Sequence, residues 1–335
     1  MAFQSPVTSE TVRSKSRAPF LSAKPLLYIL LLLCGAVGSF GYKLRSDGIF
    51  ACGADGYAED SYLAYCNATA YSDYDHGAFW YGLEPDAQRN AIEADVLFVG
   101  SSRMQFAFST RATAEWFLLS GVRYYLLGFS HTENIVFLAP LLSKLKPRAR
   151  VYVINVDRFF DDRVTPPAHD IQREAKAQSG YPEKRFWQSL HKPICNTLPA
   201  ICGARASFFR LRKSGAWQFS GSDGLKPQSV ADGPPSNPER WSQYAALGEK
   251  FLSQLPVDRK CILLTIAPSS ETRRAEATTI AITLGFDLVA TDLDGLQTFD
   301  GSHLDRASAE RWSTAFFQVA GPRIQRCLES NRSAS

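Results

Sequence analysis

Asp95-Val-Leu-Phe-Val-Gly-Ser-Ser-Arg103 is an apolar run closed by a glycine and two serines. Val96 to Val99 lacks the polar alternation of a half-exposed strand, so it reads as a strand buried on both faces. Gly100-Ser101-Ser102 then reads as a tight turn that exposes a serine at the strand's carboxyl end.

Outward from this stretch the pattern repeats. Phe106 to Leu119 reads as a helix, Val122 to Leu127 as a second strand, and Glu133 to Lys146 as a helix with Ile135, Leu138, Leu141, Leu142 and Leu145 on one face. Val151 to Val156 follows as a third strand. After an interruption, Cys261 to Ala267 reads as a fourth strand ended by Pro268, Glu271 to Leu284 as a helix and Phe286 to Val289 as a fifth strand. A closing helix begins near Asp305 and buries Ala309, Trp312, Phe316 and Ala320. Strands alternating with helices predict an α/β protein: a flavodoxin-like three-layer sandwich around a parallel five-stranded sheet. Ligands of such sheets bind beyond the carboxyl ends of the strands where the strand order switches, and Ser102 falls there.

A second motif lies about two hundred residues further on. Phe299-Asp-Gly-Ser-His303 places a carboxylate and an imidazole three residues apart. With Ser102 these supply a nucleophile, a base in His303, and in Asp300 a carboxylate to fix the imidazole tautomer. The alternative is a helix-capping serine and a solvent-facing histidine after an ordinary helix-start aspartate. The two motifs together resemble the SGNH (GDSL-like) hydrolase superfamily. Its nucleophile sits in a Gly-Asp-Ser turn after the first strand, and its other triad members form an Asp-x-x-His motif near the C-terminus. Here Ser101 replaces the family aspartate, and Asp300 and His303 keep the second motif.

The resemblance implies an oxyanion hole built from the amide of Ser102, from Gly128 in Leu126-Leu-Gly-Phe-Ser130, and from an asparagine after the third strand. By register that asparagine falls on Asp157, with Asn155 two residues earlier. An ionised carboxylate would repel an oxyanion, so either Asn155 supplies the donor or Asp157 orients Arg103 or Arg158. His131, near the Gly128 turn, is a candidate substrate contact. The Gly-Ser-Ser-Arg turn, the Gly128 segment and Val153-Ile-Asn-Val-Asp157 look most like the membrane-tethered, envelope-facing branch, which includes polysaccharide O-acetyltransferases.

The N-terminus fits such a tether. Pro25 to Tyr42 carries no charge and is bracketed by Lys24 and Lys43, which makes it long enough to cross a bilayer. Arg13, Lys15, Arg17 and Lys24 put the N-terminus in the cytoplasm and the main domain on the far side. A cleaved signal peptide ending at Ala36-Val-Gly38 and a lipoprotein signal at Leu31-Leu-Leu-Cys34 compete, but the long polar lead disfavours both. The organisation expected is a cytoplasmic tail (1–24), an anchor (25–42), a stalk or collar (43–94), a catalytic domain (95–320) with an insertion (158–237), and a C-terminal tail (321–335).

Apart from Cys34 the chain has six cysteines. An even number beyond an export signal suggests disulfides. Cys52 with Cys66 and Cys195 with Cys202 are natural local pairs, leaving Cys261 with Cys327, both expected at the end of the sheet opposite Ser102. None forms a Cys-x-x-Cys metal pair, and no cofactor is expected. A net charge of +4 with scattered basic residues gives no case for nucleic acid. Asp73, Asp75 and His76 form a weak metal candidate in the collar, read more simply as solvated loop residues.

The insertion, rich in Pro, Gly, Arg and aromatics, reads as a lid, a binding loop or partial disorder. Phe186, Trp187, Phe208, Phe209, Trp217 and Phe219 either stack on sugar rings or, more plainly, form a satellite core around the Cys195–Cys202 bridge. Ser222 to Pro235 reads as a mobile loop. The functional expectation is an inner-membrane, single-pass protein with a periplasmic esterase or O-acyltransferase domain. Its partners would be a cell-envelope glycan or acylated carbohydrate and an acyl-supplying membrane protein. The rival is a non-catalytic envelope scaffold or glycan-binding protein retaining the fold.

Overall fold

The computed structural model describes residues 23–69, 71–173, 177–221, 225–234 and 237–330. The tail expected over 1–24 therefore lies outside the described residues, save for Ala23 and Lys24. The chain divides into two compact units, Met1–Lys43 and Leu44–Ser335. The described part of the first lies in helix α1 (Ala23–Ser46), whose apolar stretch has a mean hydropathy of 1.8 and no burial against protein. At about 1.5 Å per residue it is long enough for a hydrocarbon core of about 30 Å. Composition and length thus allow one membrane span.

In the second unit the strands are β1 (Ser61–Cys66), β2 (Ser72–Asp73), β3 (Val96–Ser101), β4 (Tyr124–Phe129), β5 (Val151–Asn155), β6 (Ser207–Leu211), β7 (Trp217–Ser220), β8 (Gln228–Ser229), β9 (Ile262–Thr265), β10 (Leu288–Val289) and β11 (Gln297–Thr298). The helices are α2 (Asp75–Tyr81), α3 (Pro85–Glu93), α4 (Ser102–Phe108), α5 (Arg111–Ser120), α6 (Ile135–Leu145), α7 (Pro166–Arg173), α8 (Ala177–Thr197), α9 (Glu239–Leu252), α10 (Arg274–Thr283) and α11 (Arg306–Ser330).

The five-stranded parallel sheet runs β10-β9-β5-β3-β4, the expected doubly wound order. Period-two alternation splits its side chains between two cores. Leu97, Val99, Leu127, Ile154 and Leu264 face Phe137, Leu141, Phe251 and Ile280, on α6, α9 and α10. Val96, Phe98, Leu126, Val153 and Leu263 face Met104, Phe108, Phe117, Trp312 and Phe316, on α4, α5 and α11. This accounts for strands that read as continuous apolar runs.

Three local expectations need correction. The helix expected over Phe106 to Leu119 is two helices, because Thr110 caps α5 by accepting from the Thr113 N–H at 3.1 Å. The tail expected from residue 321 is instead the last turns of α11, with Ile324, Cys327 and Leu328 buried. The irregular collar and insertion are built together: β1 pairs antiparallel with β2 and with β6, and β6 with β7, in a sheet of order β2-β1-β6-β7.

That second sheet seals the free edge of β4. Leu126 N–H donates to the Ser214 carbonyl at 2.9 Å, and Arg210 Nη1 donates to the Leu126 carbonyl at 2.6 Å. Arg210 Nη2 donates to the Gly128 carbonyl. Gly215 sits at φ 73°, where a Cβ would lie 2.4 Å from the Leu126 oxygen, so only glycine lets the β6–β7 hairpin come this close.

Disulfides join Cys52–Cys66, Cys195–Cys202 and Cys261–Cys327. The last fastens the start of β9 to α11 and closes a 66-residue separation, worth about 4 kcal/mol in the chain-entropy account.

Candidate active site

The Asp300–His303 segment is a tight loop between β11 and an antiparallel bridge from Thr298 to Leu304. Phe299 N–H donates to the His303 carbonyl at 3.0 Å, and Gly301 N–H to Thr298 Oγ1 at 3.0 Å. Gly301 holds φ 83°, which turns the chain so that Asp300 faces its own loop. Asp300 Oδ1 accepts from the amides of Ser302 and His303 at 2.9 and 2.8 Å, and Oδ2 lies 2.7 Å from His303 Nδ1. Burial alone would raise the Asp300 carboxyl, but the His303 hydrogen bond and charge, with the two amides, hold it below the ordinary range.

His303 Nε2 lies 2.8 Å from Ser102 Oγ. Ser102 opens α4, and Ser101 caps that helix by accepting from the Arg103 N–H. Ser101 thus has a structural task as the cap of α4. A hydroxyl bonded to an imidazole that a carboxylate orients is the arrangement that activates a serine for attack on an acyl carbon.

The expected oxyanion donors separate. Gly128 lies within β4, and its N–H is spent on Gln105 Oε1 at 3.0 Å. Its lack of a side chain instead answers close packing, since a Cβ would meet Met104 and the Ser101 carbonyl at 2.8 Å. Gln105, three residues after Ser102, carries no signal in the sequence. Asn155 accepts from Ala267 N–H at 2.8 Å through Oδ1, while its Nδ2 is buried and unpaired among the described residues. A Cβ on Gly100 would lie 3.1 Å from the Asn155 Cβ, so Asn155 stands beside the turn into Ser102. Asp157 pairs with Arg103, whose Nε donates to Ser302 Oγ at 3.1 Å, so both join the triad loop. His131 is exposed at φ 60°, edge-on to Tyr65 with ring centroids 6.2 Å apart.

An aromatic wall flanks the triad. The Phe106 ring lies 4.8 Å from that of His303, 5.2 Å from Phe299, 5.3 Å from Phe208 and 5.7 Å from Trp217. Phe219 stacks on Phe299 at 5.2 Å and Tyr65 on Phe208 at 5.3 Å, and these four rings are partly exposed. The satellite-core expectation is therefore wrong for Phe208, Trp217 and Phe219. Trp187 packs on Phe50 with Phe186 beside it, and Phe209 packs tilted against Tyr57.

The loop expected to be mobile over Ser222 to Pro235 is pinned from Gln228 to Gly233. Within it β8 pairs with β11, and Thr298 Oγ1 donates to the Gln228 carbonyl at 2.9 Å. Residues 222–224 and 235 lie outside the described residues. The β8 segment of the insertion thus braces the His303 loop.

The collar acids serve a buried network. His76 lies between Asp73 and Glu133, 2.9 Å from each. Ser130 and Thr165 donate to Asp73 and Glu133 at 2.7 Å. Asp75 turns instead to Arg210, so Asp73, Asp75 and His76 do not converge on one point. The cluster His191, Cys195 and Cys202 has metal-ligand spacing, but its thiols form a disulfide.

Burial opposes charge on His76, yet Asp73 and Glu133 outweigh it and push the imidazole from 6.5 up to about 10. A raised histidine gives stability that is full below 6.5 and lost as pH climbs toward 10. Thermal unfolding should therefore move to lower temperature between these limits, and His76→Gln should flatten that slope. An unchanged slope in the variant would exclude His76 as its source.

No protein-family model, curated protein or solved structure matches the chain.

Proposed function

We propose that the chain is a serine esterase or O-acyltransferase of the SGNH type acting on an acylated carbohydrate. The carrying observation is the hydrogen-bonded series from Ser102 through His303 to Asp300. Ser102 Oγ bonds to the acyl carbon as His303 Nε2 takes its proton. The proton then passes to the leaving sugar or aryl oxygen as the ester C–O bond breaks, leaving acyl-Ser102. Water or a sugar hydroxyl next bonds to the acyl carbon, giving its proton to His303, which returns it to Ser102 Oγ as the acyl–Oγ bond breaks. The Ser102 amide, in a first turn with no intrahelical acceptor, and Asn155 Nδ2 are the donors for the oxyanion.

The partly exposed rings of Tyr65, Phe208, Phe219 and Phe299 support a carbohydrate, because flat apolar faces suit the CH face of a pyranose. Helix α1 and three disulfides support a single-pass protein of a bacterial inner membrane with its main unit in the oxidising periplasm. A membrane partner supplying acyl groups fits that placement.

Incubation with an aryl acetate, followed by acid quenching and peptide mapping, should place one acetyl group on the peptide bearing Ser102. Added oligosaccharide should speed loss of that acetyl and yield acetylated sugar. Loss only to water at an unchanged rate would make the protein a hydrolase. Acetyl found on another residue would overturn the assignment.

A further inference from the structure

Arginines from three neighbouring connections gather beside Ser102. Arg103 follows β3, Arg158 and Arg163 follow β5, and Arg273 ends the connection after β9; these three strands are adjacent in the sheet. The β9 connection is tied to β5 by the Asn155–Ala267 hydrogen bond, and to the triad loop by Ser270 Oγ donating to the Gly301 carbonyl at 2.6 Å. Arg103 itself contacts Ser302, between the two triad members of that loop.

Their counter-charges fall short. Asp157 is taken by Arg103, and Glu276 lies 3.6 Å from Arg273. The acids next along the chain, Asp161 and Asp162, face Arg240 at 3.3 and 3.6 Å. The Arg158 guanidinium, partly buried, has no hydrogen bond or ion pair among the described residues. Burial first, then repulsion from Arg273, Arg103 and Arg163, holds it below the ordinary arginine range against the attraction of Asp157, so Arg158 feels the other three positive charges. Arg158 also holds φ 51°, a left-handed conformation that is strained for a non-glycine residue.

We propose that this cluster, centred on Arg158, binds an anionic substituent, a carboxylate or phosphate, on the sugar that carries or receives the acyl group. The proposal rests on Ser102 being the nucleophile. A bidentate anion gives Arg158 the partner it lacks. Across the site, the β6–β7 hairpin that carries Phe208 and Phe219 lies against the edge of β4, on one side of β3, while Arg158, Arg163 and Arg273 follow β5 and β9 on its other side, so an acidic pyranose would meet rings on one side of Ser102 and positive charge on the other.

The test is calorimetric titration of full-length Ser102→Ala protein in detergent with tetragalacturonate, neutral tetragalactose and galactose 6-phosphate. The uronate or the phosphate should bind at least about tenfold tighter than the neutral sugar, as one charge-assisted hydrogen bond implies. Which of the two does so identifies the anion. Added Arg158→Gln should erase that preference, with Arg273→Gln in its place if the first fails to fold, and salt should weaken only charged ligands. Equal affinity for charged and neutral sugars, or a preference that survives both substitutions, would overturn the proposal. Fluorophosphonate labelling of the wild type reports separately on Ser102, so failure of catalysis and failure of anion binding are told apart.

Discussion

Ser102→Ala and His303→Ala should each lower kcat for a small acetyl ester on the order of a millionfold, with thermal unfolding little changed. The magnitude follows from the geometry: Ser102 Oγ and His303 Nε2, 2.8 Å apart, form one proton-transfer unit, so losing either member loses the whole. Asp300→Asn should cost less, on the order of ten-thousandfold, because Asp300 orients and stabilises the imidazole but does not react. The loop would survive that change, since the amide oxygen still accepts from the Ser302 and His303 N–H groups. A double variant Ser102→Ala with His303→Ala should be no slower than either single variant. Turnover undiminished in Ser102→Ala would end the assignment.

Arg210→Met should destabilise the second unit by about 3–5 kcal/mol, the loss expected when one member of a buried ion pair is removed. Arg210 and Asp75 are 0 % and 1 % exposed, and the guanidinium also donates to carbonyls of Leu126, Gly128 and Gly215. Its loss would leave the Asp75 charge buried, with Tyr62 at 2.5 Å as its remaining side-chain donor among the described residues. Asp75→Asn combined with Arg210→Met should therefore be less damaging than the two single losses summed, because no buried charge remains. Simple additivity, read from denaturant midpoints, would contradict this. The same substitution should impair catalysis indirectly, since Arg210 holds β6, and with it Phe208, against the strand beside the nucleophile.

The parts of the fold that were legible in the sequence are those set by local pattern. β3, β4, β5 and β9 are buried on both faces, so each reads as a short apolar run between turns, and their alternation with helices leaves few topologies. The triad was legible because each half sits in a local turn, one at the end of β3 and one in the loop containing Gly301. What escaped was non-local. Ser61–Cys66 and Ser207–Leu211 are paired strands far apart in the chain with no hairpin between them, so each looks irregular alone. Helix α8 was hidden by Pro182 and Pro193 within it. Gly128 misled for a related reason: a glycine after an apolar run signals a turn, but here it answers close packing inside a strand, and Gln105 takes its amide. The segment around Gln228 reads as loop because two residues of pairing to β11 leave no periodic signature.

The central claim is that Ser102 is an activated nucleophile, and a fluorophosphonate probe tests it most directly. Full-length wild-type protein should be labelled at Ser102 and nowhere else, as read by peptide mapping, with labelling abolished in Ser102→Ala and strongly slowed in His303→Ala. Folded wild-type protein that takes up no probe, or takes it up at another residue, would contradict the claim.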